Sequence, residues 1–320
     1  MNTILKTSHL NKVYRLGGPF NRIRINALDD VNLTIESDAP AIISIVGESG
    51  SGKTTLAKVL LRLVSPTSGS ALVYDRLIAG KGEKPSNREF FSTLQPIFQN
   101  PFEAFSGYRT VDSYLFETAV RVARLSKTDA VDAMAEALRL VGLDYRDVRG
   151  KYPNQFSGGE LQRVSVARAL IPHPKIIIAD EPVSMIDASL RMNVINLFLS
   201  LKEEFQRSFL YITHDLATAY YISDYIGVMY RGCIVEFGDA RTILSDPRHP
   251  YTQLLLASIP QVGQKWEVEK MALADIEAKE FQFEGCRFYN RCPIAKDECI
   301  AERPPAIKKA DGRDIYCHFA

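Results

Sequence analysis

Gly47-Glu-Ser-Gly-Ser-Gly52-Lys53-Thr54 is the densest concentration of chemistry in the chain. The run fits G-x-x-x-x-G-K-[ST], the phosphate-binding P-loop pattern. A polyphosphate needs many N–H donors at short range and few side chains in the way. Gly47, Gly50 and Gly52 permit that approach, Ser49 and Ser51 are small, and a helix starting through Thr55 adds a favourable dipole at its N-terminus. Lys53 would place a positive charge on the β- and γ-phosphates of a triphosphate, and the Thr54 hydroxyl would ligate Mg2+. An ordinary Gly/Ser turn uses the same residue types. The flanking context argues against one, because a short apolar strand precedes the loop and a helical pattern follows it.

A second constellation is Ile176-Ile177-Ile178-Ala179-Asp180-Glu181, an apolar strand ending in two acids, the Walker B arrangement. Asp180 is suited to hold Mg2+ through its water shell, and Glu181 to polarise an attacking water as general base. Many buried strands end in an acid at the solvent edge, so the pair gains its force from lying downstream of a P-loop. Phe156-Ser157-Gly158-Gly159-Glu160-Leu161-Gln162-Arg163 is a small-residue turn opening a helix from Glu160 to Leu170, another N-terminus able to face an anion.

These residues need a scaffold, and the hydrophobic pattern provides one. Val13-Tyr14 and Ile23-Arg24-Ile25 flank a Gly17-Gly18-Pro19 turn, and Val31 to Ile35 alternates as a half-buried strand. Ile42 to Val46, Ile176 to Ala179 and Phe209 to Ile212 are short apolar runs suited to buried parallel strands. Helical patterns cover Thr55 to Val64, most of Asp112 to Leu140, and Ser189 to Gln206, while Tyr225 to Gly238 reads as a hairpin turning at Arg231-Gly232. Strands alternating with helices predict an α/β fold with a parallel sheet and crossover helices. The stretch from about 100 to 170 is expected as a helical insertion.

The order of these pieces resembles the ATP-binding cassette (ABC) ATPases. Phe156 to Arg163 is similar to their Leu-Ser-Gly-Gly-Gln signature and lies close upstream of Asp180. Gln99, in Ile97-Phe98-Gln99-Asn100-Pro101, matches the Q-loop, and Ser184-Met185-Ile186-Asp187 resembles the D-loop. His214, in Tyr211-Ile212-Thr213-His214-Asp215, matches the H-loop histidine, and Tyr14 resembles the aromatic residue that stacks on adenine. The resemblance implies ATP and Mg2+ as cofactors. It implies catalytic roles for Glu181, His214 and Gln99, a Mg2+ set of Thr54, Gln99 and Asp180, and nucleotide contacts from Ser157, Gly158, Gly159, Glu160 and Asp187. The ATP would be shared with the P-loop of a second ATPase subunit.

The last third narrows the resemblance. Asp246-Pro247-Arg248-His249-Pro250-Tyr251-Thr252-Gln253-Leu254-Leu255, and Gly285-Cys286 through Cys292-Pro293 with Cys317-His318, are similar to the C-terminal part of the oligopeptide/dipeptide importer family. That implies an ABC ATPase domain over 1–255 and a C-terminal extension over 256–320. It implies a second, different ATPase chain, two transmembrane permeases and an extracytoplasmic solute-binding protein as partners, with attachment to the cytoplasmic face of the membrane through them. The expected cargo is a peptide, with oligosaccharide or metal-chelate uptake as alternatives. A DNA-repair type of ABC ATPase would carry a longer insertion between P-loop and signature and a basic cleft. The departures are Met185-Ile186 in the D-loop, Phe102 to Tyr108 after the Q-loop, and Phe156 and Glu160 in the signature.

Composition agrees with a soluble core and excludes some classes. Of the 320 residues, 46% are hydrophobic and 24% charged, and 39 basic against 38 acidic residues leave a net charge of +1. No bulk positive field exists to recruit nucleic acid, and no partner of that kind is expected. No apolar run is long enough to span a bilayer. Of five cysteines, Cys233 stands alone in the predicted hairpin, and Cys286, Cys292, Cys299 and Cys317 crowd the tail. Their spacing matches neither a zinc ribbon nor a ferredoxin. Four soft ligands in a segment with little core still form a candidate site, and with the family resemblance they lead to the expectation of a [4Fe-4S] cluster stapling the tail, apart from the ATP machinery.

Overall fold

Beta-branched and aromatic residues open the chain as long strands, and the rest alternates strand and helix. A computed structural model describes residues 2–16, 23–258, 281 and 283–319. In chain order the first elements are β1 (Asn2–Leu16), β2 (Ile23–Ser37), β3 (Ile42–Val46), α1 (Lys53–Leu60), β4 (Ser68–Val73) and β5 (Arg76–Ala79). There follow α2 (Asn87–Thr93), β6 (Leu94–Ile97), α3 (Val111–Arg121), α4 (Lys127–Leu140), α5 (Tyr145–Val148), α6 (Gly158–Leu170), β7 (Ile176–Asp180), α7 (Ala188–Glu203) and β8 (Ser208–Thr213). The last are α8 (Leu216–Ile222), β9 (Tyr225–Tyr230), β10 (Cys233–Asp239), α9 (Ala240–Ser245), α10 (Pro250–Ala257), α11 (Glu298–Ala301), β11 (Ala306–Lys308) and β12 (Asp314–Tyr316).

The chain divides into two compact units. One comprises residues 37–42 and 83–213. In it β6, β7 and β8 run parallel, with Leu94 opposite Ile176 and Ile176 opposite Ser208. β7 and β8 are buried along their whole length, as parallel strands covered on both faces must be. The helices bury stripes at helical spacing: Val111, Leu115 and Ala119 on α3, and Ala130, Met134, Ala137 and Leu138 on α4. The predicted helical stretch from Asp112 to Leu140 is thus two helices. Arg124 adopts a left-handed φ of 61°, and Ser126 then caps α4 by accepting a hydrogen bond from the Asp129 N–H.

The other unit comprises the remaining described residues. Its first sheet has the order β2-β1-β4-β5, with Leu5 opposite Val73 in the antiparallel β1–β4 pair. β3 runs parallel to β9, placing Val46 opposite Val228. β9 and β10 form the predicted hairpin, and Arg231 and Gly232 turn it with φ of 43° and 86°, the doubly left-handed geometry that suits strand twist. Strands from the tail extend this sheet, because β12 pairs with β10 (Glu236 opposite Ile315) and β11 with β12. α1 ends at Leu60 rather than Val64, since Arg62 takes a φ of 59° that a right-handed helix cannot continue. The turn expected at Gly17–Pro19 lies outside the described residues. No helix among the described residues is long and apolar enough to cross a membrane.

Candidate functional site

The loop between β3 and α1 owes its shape to glycine. Gly47 sits at φ 154°, where a Cβ would lie 2.1 Å from the Met229 carbonyl oxygen, and Gly52 at φ 108°, where one would lie 2.4 Å from that of Ala27. No other residue fits either place. Lys53, only 5% exposed, cannot leave its ammonium unpaired. Its Nζ donates to the carbonyls of Gly47 and Glu48, both at 2.8 Å, and to Ser51 Oγ at 3.3 Å. Thr54 is exposed and Thr55 half-buried in the first turn of α1. The loop is thus a cradle of backbone groups with one ammonium folded over it. In the same unit Tyr14 is half-buried on β1, with Lys12 Nζ 5.1 Å from its ring centre, and His214 is exposed just after β8.

In the other unit the parallel pairing of β6 with β7 sets Ile97 opposite Ala179, so the segments leaving both strands start side by side. Asp180 closes β7, 7% exposed. Glu181 then turns through a left-handed φ of 45°, unusual for a side chain of its size, and its N–H donates to Ile212 O at 2.8 Å. Ser184 ties the turn from beyond, its Oγ donating to Glu181 O at 2.9 Å. Gln99 Nε2 donates to Glu181 Oε2 at 2.9 Å. The structure therefore brings the predicted Q-loop glutamine and the predicted base into contact, although 82 positions separate them.

Ser157 caps α6 reciprocally. Its Oγ accepts from the Glu160 N–H (3.3 Å), and Glu160 Oε2 accepts from the Ser157 N–H (2.9 Å). The Ser157 N–H first, and then the Ser157 hydroxyl, which donates to Glu160 Oε2 at 2.9 Å, hold the Glu160 carboxyl below its ordinary range. A Cβ on Gly158 would stand 3.3 Å from Met185 O, and one on Gly159 3.5 Å from a Leu190 methyl, so the predicted D-loop packs on the signature glycines. Asp187 is exposed at the start of α7.

The four tail cysteines depart from expectation. Among the described residues no group of three or more His, Cys, Asp or Glu side chains is placed to hold a metal ion, so a [4Fe-4S] cluster on Cys286, Cys292, Cys299 and Cys317 finds no support. None of the four is joined in a disulfide, and burial first, then the proximity of the other three, pushes the Cys286 thiol up to about 11. Other groups hold the tail. Phe288, 1% exposed, packs among Tyr230, Tyr251 and His249 at ring-centre separations of 5.3, 5.4 and 5.8 Å. Arg287 donates to Asp29 and to Arg231 O, and Arg303 also reaches Asp29. Arg313 pairs with Asp311, and its guanidinium lies 3.5 Å from the fully buried Glu236. Sequence reasoning also missed Tyr251 and Arg291, both of which touch Glu48 of the P-loop. No spacing rule links positions so far apart, so no local signal existed.

A P-loop on a parallel strand, an acidic pair ending another, and a capped Ser-Gly-Gly helix define the ATP-binding cassette, an ATPase class that hydrolyses ATP to drive transport. The ABC transporter family model matches residues 28–184, and that of the oligopeptide/dipeptide transporter C-terminal region matches 235–299. A probable peptide ABC transporter ATP-binding protein of Sinorhizobium fredii is 35% identical, covering 99% of this chain and 90% of its own. The oligopeptide transport ATP-binding protein AppF of Bacillus subtilis is 34% identical, covering 99% and 97%. Among solved structures, a dimeric ATP-binding cassette in a post-hydrolysis state with ADP and Pi matches with a TM-score of 0.64 and 27% identity, over 74% of this chain and 99% of that one. The chain belongs to the ATP-binding subunits of oligopeptide/dipeptide-type ABC transporters.

Proposed function

We propose that this chain energises uptake of peptides as one ATPase of a pair docked on two permeases, fed by an extracytoplasmic solute-binding protein, at the cytoplasmic face of the membrane. The cargo reading is supported by the matched C-terminal region and by the peptide-transport names of the relatives. Lys53 and the loop N–H groups hold the phosphates, Tyr14 the adenine, and His214 the γ-phosphate. Ser157, Gly158, Gly159, Glu160 and Asp187 serve the nucleotide of a partner ATPase. Thr54, Asp180 and Gln99 offer oxygen donors, the set a hard cation such as Mg2+ prefers, and the metal would supply charge neutralisation on the phosphates.

The observation that carries the catalytic part is the Gln99–Glu181 contact. A carboxylate in a tightly tied turn, with one oxygen held by an amide donor, keeps its other oxygen at a fixed direction from which to accept a proton from water. The test is ATP turnover and peptide uptake by the full chain assembled with its partners in membranes. Glu181→Gln is expected to keep ATP binding and slow hydrolysis by about 100-fold or more, the worth of a general base. Lys53→Ala is expected to lose nucleotide binding instead. Near-native turnover by Glu181→Gln would remove Glu181 from this role, and uptake of an oligosaccharide in place of peptides would overturn the cargo reading.

A further inference from the structure

Glu48, the second residue of the P-loop, has all its polar groups engaged, and two of its partners come from the C-terminal third of the chain. Its carbonyl accepts from Lys53 Nζ at 2.8 Å and from the Ser51 N–H at 3.2 Å. Its N–H donates to Tyr251 Oη at 3.0 Å. Its carboxylate receives Nη1 and Nη2 of Arg291, both at 2.9 Å, a fork meeting a fork. Arg291 ends the short turn that starts beside Phe288, and its guanidinium lies 5.7 Å from the Tyr230 ring centre and 5.8 Å from that of Phe288. Tyr251 packs against the same two rings. One aromatic cluster therefore positions both groups that grip Glu48.

The chemistry gives this grip a purpose. A carboxylate in a loop built to bind an anion opposes its ligand, and the opposition is felt over several ångströms. We propose that Arg291 is a positioning residue for nucleotide binding: it neutralises Glu48 and, with Tyr251, fixes the P-loop from the tail. The pairing itself keeps the Arg291 guanidinium firmly protonated, the bond to Glu48 being the largest cause. The tail is thereby a part of the nucleotide site's support rather than an appendage.

This inference rests on the P-loop reading above, and the experiment separates the two. ATP KM and kcat are measured on the full chain in its membrane assembly for Arg291→Gln, Glu48→Gln, the double variant, and Arg303→Gln. Arg303 anchors the tail to Asp29 without touching Glu48, so it controls for general loosening. Arg291→Gln is expected to raise KM about three- to tenfold, the range for a half-exposed but bidentate pair, with a smaller change in kcat. Glu48→Gln in the same chain is expected to restore most of the loss, because the charge that needed neutralising is gone. The penalty is also expected to shrink as salt rises. Arg303→Gln is expected to leave KM unchanged. An unaltered KM in Arg291→Gln, a double variant no better than the single, or an equal rise in Arg303→Gln would each overturn the proposal. If Arg291→Gln fails to fold, Arg291→Lys keeps the charge while losing the fork, and a KM above wild type but below tenfold is then required. A wild-type chain that bound nucleotide no better than Lys53→Ala would instead sink the P-loop reading.

Discussion

The P-loop and the tail lie in the same unit, and they are held by opposite means. The loop is local: glycines at 47 and 52 admit backbone shapes that a Cβ would block, and Lys53 closes onto carbonyls within six positions of itself. The tail is non-local: Arg287, Arg303 and Arg291 reach back to Asp29 and Glu48 across more than 240 positions, and Phe288 plugs an aromatic cluster whose other members lie far upstream. Local devices leave a pattern in the sequence. Long-range ion pairs leave none.

The comparison breaks first at Phe288. If the tail stands on that ring rather than on its cysteines, Phe288→Ala must be the most damaging change in it. Removing a fully buried phenyl ring costs about 3–5 kcal/mol, through lost burial and the cavity left behind. Hydrogen exchange is expected to show residues 283–319 losing protection, and the Glu48 amide with them, since Tyr251 shares the cluster. Protection that survives the substitution would mean the anchor lies elsewhere.

The same contrast explains what was legible beforehand. β3, β7 and β8 are runs of apolar residues whose burial follows from composition, and the Gly-rich loop and the acidic pair follow them by fixed offsets. The approach of Gln99 to Glu181 could be expected only from the resemblance, because it depends on β6 and β7 pairing in one register. The tail misled for a physical reason. Cysteines are conspicuous and few, whereas arginines are common and most decorate surfaces, so nothing marks Arg287, at 7% exposure, as a buried anchor.

A second break is pH. His249 is 1% exposed, its Nδ1 accepts from the Tyr251 N–H at 3.0 Å, and burial brings it from 6.5 down to about 3. The folded state thus holds it neutral while the unfolded chain protonates it below 6.5. Above pH 6.5 both states are neutral and the group gives no slope. Between 6.5 and about 3 the unfolded state binds the extra proton, so stability is lost as pH falls. At pH 5 that loss is about 2 kcal/mol. Urea unfolding at several pH values is expected to show it, and His249→Asn, which keeps an acceptor for the helix start, is expected to flatten the slope. A slope unchanged by the substitution would assign the acid sensitivity to another group.

The finest discrimination is Cys292→Ser. Cys292 is half-buried, its thiol is pushed up first by burial, and its place in the structure is that of a small residue at the edge of the aromatic cluster. Exchanging one sulfur for oxygen there changes little volume and adds a hydroxyl able to reach solvent. The expected cost is under about 1 kcal/mol, well below that of Phe288→Ala, with nucleotide KM unaltered because Arg291 keeps its hold on Glu48. A tail stapled by thiolates to a cluster would give the reverse order: removing one ligand would unfold 283–319 at least as thoroughly as removing the phenyl ring, since metal binding would then be the folding energy of the segment. Comparing the two variants by hydrogen exchange, with iron measured in protein purified without oxygen, decides between these architectures. Aromatic packing and arginine pairs predict an insensitive cysteine and a critical phenylalanine, and a critical cysteine in iron-containing protein would return the cluster to the tail.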